Sequence, residues 1–268
     1  MIDFINLLLL PPVTKGLVAM IFAGLCFPNV GVMVLRLDLV PLRYMLMHGV
    51  ILGGALALAS NLPNLPCVII INLILSFVMV KMSGNKKKSL GISSAALMVF
   101  SMGLASLLVG LFNVPAKDTL QILWGSPFAL SWMDVISIVM VTIIVFIYTL
   151  INFNTISSIF FDQDIAASLG INVSFHYYAM VLLIALIIGF AMKIIGALLI
   201  DALLILPVLI ATKRATSLKK VFILSTVFGL TLSIGGYLIA VALNLPVSGT
   251  ISILAVIIFI LTKKKEQE

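Results

Sequence analysis

Two residues of this sequence sit where polar chemistry is costly. His48 lies in the apolar run RYMLMHGVILGGALAL and Asp201 in IIGALLIDALLILPVLIAT. A charge held at the centre of a bilayer costs at least about 2.5 kcal/mol on insertion scales, so such groups are expected to face a cavity or a partner. A neutral imidazole and a carboxylate together suit a divalent cation such as Zn²⁺, Mn²⁺ or Fe²⁺. Two protein ligands, with water completing the shell, bind weakly enough to release the ion again. His48 and Asp201 are therefore the candidate metal residues of a translocation pathway near the midplane, where the metal is a transient passenger and no cofactor is bound permanently. The alternative for His48 is an imidazole hydrogen-bonded to a neighbouring helix. For Asp201 it is a proton relay, which would make the chain a proton-coupled secondary transporter.

The remaining reactive residues point elsewhere. His176, beside Tyr177 and Tyr178, fits an interfacial belt. Asp134 follows Trp132 at a helix start, where a carboxylate complements the helix dipole. The 13 methionines are scattered like gap fillers. The two cysteines, Cys26 and Cys67, both fall in apolar runs and offer neither a disulfide framework nor a Cys-rich metal site. No GxxxxGK[ST] loop, HExxH or GxSxG occurs, so the chain is read as having no catalytic residues and no ATPase site of its own.

The elements that must position His48 and Asp201 are membrane helices. Of the 268 residues 63% are hydrophobic and 9% charged, against roughly a quarter charged in a soluble domain. A bilayer core of about 30 Å calls for roughly twenty apolar helical residues. Runs of that kind predict an all-α bundle of about nine transmembrane helices, near residues 16–36, 42–61, 66–80, 91–112, 132–152, 175–192, 194–212, 220–243 and 247–262, forming one domain over residues 1–268. Pro28 and Pro207 are expected to kink the first and seventh.

With the N-terminus outside, Arg36, Arg43, Lys81, Lys86, Lys87, Lys88, Lys213, Arg214, Lys219, Lys220, Lys263, Lys264 and Lys265 become cytoplasmic, and Lys15, Lys117 and Lys193 stay outside. That split of the 16 basic residues follows the positive-inside rule, explains the net charge of +7 without nucleic acid, and places the C-terminus in the cytoplasm. An outer connection over Asn113–Ser131, with Asp118, Trp124, Gly125 and Pro127, reads as a lid or interfacial helix. The inner connection Phe153–Ser174 carries Asp162 and Asp164 and no basic residue, which suits a protein partner better than anionic lipid. Its stretch Asp162–Gly170 is expected to form a short helix capped by Asp162 and ended by Gly170, with Ala166 and Ala167 allowing close approach.

Four segments in order resemble permease subunits of the zinc and manganese family of ATP-binding cassette importers. FDQDIAASLG (161–170) resembles that family's FDPExAxxLG loop, IIGALLIDALLILPVLIAT its VGxLLVxALLIxPAATA helix, and NLPVSGTISILA its PSGxTIVLLA hairpin. RYMLMHGVILGGALAL is similar to GDALSHAVLPGVALA, with His48 at the family's histidine and Tyr44 where the motif carries Asp. Asp201, at a position usually small or apolar in the family, is read as a source of the missing negative charge. The resemblance spans about Arg36 to Leu261. It implies a bacterial cell-membrane importer of divalent metal, working as a homodimer or paralogue pair with cytoplasmic ATPase subunits and an extracytoplasmic metal-binding protein. It also implies that Asp162, Asp164, Ala166, Ala167 and Gly170 form the ATPase-coupling segment.

Overall fold

The computed structural model describes residues 4–83, 87–113 and 126–263; at 4, 5, 87–89, 193–195, 197, 198 and 263 it describes backbone alone. Among the described residues there are thirteen α-helices and no strand: α1 (Phe4–Leu8), α2 (Pro11–Arg36), α3 (Val40–Ser60), α4 (Asn64–Ser83), α5 (Lys87–Leu111), α6 (Trp132–Ile151), α7 (Phe153–Phe161), α8 (Gln163–Ser168), α9 (Val173–Ile195), α10 (Ala197–Leu204), α11 (Leu206–Arg214), α12 (Leu218–Leu243) and α13 (Val247–Lys263). Seven of them, α2 to α6 with α9 and α12, are long and apolar enough to cross a membrane, and α13 is a shorter apolar helix. In hydrocarbon an α-helix satisfies its backbone within its own segment, which is why these runs take this form. Their outward faces carry exposed Val99, Phe100, Leu107, Ile143 and Ile147, as lipid requires. The chain is a multi-pass membrane protein.

The expected spans reappear with shifted ends. The first begins at Pro11 instead of residue 16, because proline in the first turn forfeits no helical hydrogen bond. The expected outer lid, with Asp118, Trp124 and Gly125, lies outside the described residues, and a single 3₁₀ turn, Pro127–Ala129, leads from there toward α6. Ser131 and Asp134 then open α6 as a reciprocal cap, the Ser131 amide and hydroxyl donating to Asp134 Oδ2 at 3.0 and 2.8 Å and the Asp134 amide donating to Ser131 Oγ at 3.2 Å.

Two compact units interleave in sequence. One comprises Met33–Trp124 and Tyr148–Lys193, and so holds α3, α4, α5, α7, α8 and most of α9. Here Leu52 and Ala55 of α3 pack on Ala105 of α5, flanked by Ile71 of α4. Gly53 has no Cβ to collide with the α4 backbone at Val68, which would lie 2.6 Å away. The two helices approach closely for that reason.

The other unit comprises Met1–Val32, Gly125–Ile147 and Ile194–Glu268. In it α2 and α12 touch backbone to backbone. A Cβ on Gly24 would fall 2.9 Å from the Gly229 carbonyl, and one on Gly229 would strike the Pro28 ring. Pro28 therefore sits inside an uninterrupted α2, its ring received by a helix that lacks a side chain there. Polar groups fasten the same pair: Tyr237 donates to the Val13 carbonyl at 2.8 Å, Ser233 donates to the Met20 carbonyl, and Asn29 Nδ2 donates to Leu25 O at 2.7 Å and to Thr226 Oγ1 at 3.0 Å.

The seventh expected span, 194–212, is not continuous. It is broken twice, at Gly196 with φ +77° and at Ile205, into α10 and α11. Proline at 207 has no N–H to offer the carbonyl one turn back, which frees the backbone there. The Leu204 carbonyl then points at Gly31 of α2, at the spot a Cβ would occupy. Gly31→Val is accordingly expected to lower the yield of folded protein, since the obstacle is backbone and cannot rotate away; overpacking of this kind costs about 1–3 kcal/mol or more. Size-exclusion yield and melting temperature in detergent check this, and Gly235→Val, at a glycine with open space around it, serves as the control.

Candidate translocation site

His48 stands two turns into α3, the ninth residue of a helix that begins at Val40. It is half-buried. Its Nδ1 lies 2.8 Å from the Tyr44 carbonyl. A carbonyl oxygen can only accept, so Nδ1 is the donor, which leaves Nε2 as the ring nitrogen able to present a lone pair. This is how metal-binding imidazoles are usually held, one nitrogen anchored and the other ready to ligate. Tyr44, at the position of the expected carboxylate, thus contributes its backbone to fixing the ring, while its side chain lies under the Arg43 guanidinium at 4.5 Å.

Asp201 is half-buried on α10, four residues before the break, and its carbonyl accepts from the Ile205 amide at 3.2 Å. It belongs to the unit of residues 194–268, whereas His48 belongs to that of 33–124. Each is a polar position in an apolar helix. Among the described residues no cluster of three His, Cys, Asp or Glu side chains is present. Cys26 and Cys67 are free and buried, as their apolar surroundings imply. His176, read from the sequence as an interfacial residue, has its Nδ1 3.2 Å from the Tyr148 hydroxyl, a contact between α9 and the end of α6.

The connection Phe153–Ser174 is almost wholly helical. The chain continues from α6 through α7 to Asp162, whose Oδ1 accepts from the amides of Asp164 and Ile165 at 2.8 and 2.9 Å and caps α8. At the other end Ile171 N–H donates to Ala166 O at 3.2 Å and Gly170 N–H to Ala167 O at 3.0 Å, with Gly170 at φ +80°. That pair of bonds is a Schellman cap, which requires a residue in the left-handed region at position 170. Asp164, Ala167 and Gly170 are exposed and Ala166 is buried. Phe161, Ile165 and Leu169, four residues apart, are 83%, 50% and 70% exposed. Phe161 ends α7, Ile165 lies on α8 and Leu169 is its C-cap, so exposed apolar side chains flank the extended residue Asp162 and continue along α8.

The sequence alone does not single out Asn72 in α4. Its side chain is fully buried, and neither its oxygen nor its nitrogen has a hydrogen-bond partner among the described residues. Asn29 shows the opposite outcome, with both bonds of its amide nitrogen made inside the bundle. An asparagine amid Ile69, Ile70, Ile71 and Leu73 was the available signal.

The ABC 3 transport family matches residues 10–265, which takes in every helix from α2 to α13. The chain belongs to that family. Among its relatives, the manganese import system permease protein ScaB of Streptococcus gordonii is 25% identical over 252 residues, covering 92% of this chain and 89% of that protein. The high-affinity zinc uptake system membrane protein ZnuB of Haemophilus influenzae is 26% identical over 223 residues, covering 83% and 85% respectively. The solved structure of PsaBC from Streptococcus pneumoniae in complex with Fab includes a chain of 26% identity that superposes with a TM-score of 0.81 over 98% of this chain and 95% of that one. As an ABC 3 family member the chain is a transport component.

Proposed function

We propose that this chain is the membrane-spanning permease subunit of an ATP-binding cassette importer for divalent metal ions, Mn²⁺ or Zn²⁺, driven by separate cytoplasmic ATPase subunits. The observation that carries this reading is the whole-length likeness to relatives named as manganese and zinc permeases, together with an anchored imidazole in α3 whose Nε2 is free to bind a metal. The chain acts as one membrane domain, with its N-terminus outside and the basic ends of α2, α4 and α11 in the cytoplasm, where α8 meets the ATPase. A second permease copy or a paralogue completes the pathway, and an extracytoplasmic binding protein delivers the ion. His48 and Asp201 line that pathway. ATP-driven closure of the partners alternates its access between the two sides of the membrane.

Uptake of radioactive Mn²⁺ and Zn²⁺ in cells lacking their own importers tests this. Accumulation is expected when the permease is expressed with its ATPase and to vanish with an ATPase that cannot hydrolyse ATP. Undiminished uptake by the permease alone would instead favour proton coupling through Asp201.

A further inference from the structure

The carboxamide of Asn72 is enclosed within the bundle with no hydrogen-bond partner among the described residues. It projects from α4 onto Gly49 of α3, the residue after His48, and a Cβ on Gly49 would overlap Asn72 Oδ1. On its far side a Cβ built on Gly189 of α9 would stand 3.6 Å from Asn72 Nδ2. Two glycines on two helices thus leave room for one polar group. Ser76, one turn further along α4 and on the same face, is likewise fully buried, and its Oγ has no partner among the described residues.

Burying an amide and a hydroxyl without hydrogen bonds costs roughly 1–3 kcal/mol for each group, and a leucine or alanine in their place would avoid that cost. Asn29 shows that this bundle satisfies an asparagine where its role is to join helices. At Asn72 the oxygen instead faces the helical turn that carries His48.

We propose that Asn72 and Ser76 supply neutral oxygen ligands to the transported cation beside His48, and that they set its preference for an oxygen-favouring ion such as Mn²⁺. This rests on the importer reading above. Amide and hydroxyl oxygens are hard donors that suit Mn²⁺, whereas imidazole serves Zn²⁺ well alone with water. Being uncharged, they hold the ion without trapping it.

The test uses the permease with its ATPase in proteoliposomes, with Mn²⁺ and Zn²⁺ supplied separately and in competition. Asn72→Leu is expected to lower Mn²⁺ uptake per complex by about tenfold, the scale of losing one supporting group at a metal site, with Zn²⁺ uptake changed less than twofold. The same variant should melt at the wild-type temperature or above, since it removes an unsatisfied buried group; a purely structural asparagine predicts the reverse. Asn72→Asp, nearly isosteric, is expected to lower the KM for Mn²⁺. An unchanged Mn²⁺ to Zn²⁺ ratio in both variants, with wild-type transport intact, would overturn this proposal alone. Wild-type protein that imports neither ion would overturn the importer reading with it.

Discussion

His48→Ala is expected to leave a folded permease that copurifies with its ATPase yet imports metal on the order of 10–100-fold more slowly per complex, the range seen when support of a metal site is lost. Among the described residues the imidazole makes one hydrogen bond, to Tyr44 O at 2.8 Å, and that bond lies within its own helix. Removing it therefore breaks no link between helices, and the loss should fall on the ion. His48→Gln, which keeps a polar group without the imidazole nitrogen, should not restore uptake. Asp201→Asn removes one charge at nearly constant volume and is expected to slow uptake as well, with protein level unchanged.

The double variant carries the sharper information. If both residues handle the same ion on one path, removing the second costs little more than removing the worse of the two, because groups that act as a unit are not additive. Losses that simply multiply would place them in separate roles. Wild-type rates per folded complex in both single variants would remove His48 and Asp201 from the pathway altogether.

How far the sequence reveals this architecture depends on whether the cause is local. The long spans are legible because hydrophobic length decides them, and α8 because its determinants, Asp162 at the cap and Gly170 at the turn, lie eight residues apart in one segment. The break at Ile205 is only half legible. Pro207 announces a disturbance, but Pro28 sits in α2 without breaking it. What separates the two outcomes is the partner helix: Gly229 receives the Pro28 ring, and Gly31 admits the Leu204 carbonyl. Such pairings join residues about 170 to 200 positions apart and leave no pattern in either segment alone. Asn72 was missed for the same reason. In the sequence it resembles Asn29, and only the neighbouring helices distinguish an amide that ties a bundle together from one that is left with nothing to bind.

Gly170 carries the other large expected effect. At φ +80° it occupies a region that costs an ordinary L-residue roughly 1–2 kcal/mol, and a Cβ there would meet nothing within 4 Å. The penalty for substitution is therefore one of backbone conformation and not of space. Gly170→Val, β-branched and least tolerant of that conformation, is expected to unwind the cap on α8 and displace the exposed Leu169 beside it. ATPase copurification and metal uptake should fall together by about five- to thirtyfold, equivalent to the conformational cost just given, while membrane insertion stays normal. Gly170→Asn should retain most of both. This chain already places Asn61, Asn113 and Asn244 at φ 54°, 51° and 53°, so the left-handed turn is one that asparagine fills here without glycine. Ile165→Glu separates conformation from contact: it leaves both caps of α8 untouched but puts a charge on its exposed apolar face, and it is expected to lower ATPase binding at least as much as Gly170→Val. Should Gly170→Val and Ile165→Glu both bind the ATPase and transport normally, α8 is a solvated turn between membrane helices, and the motor must grip the permease elsewhere.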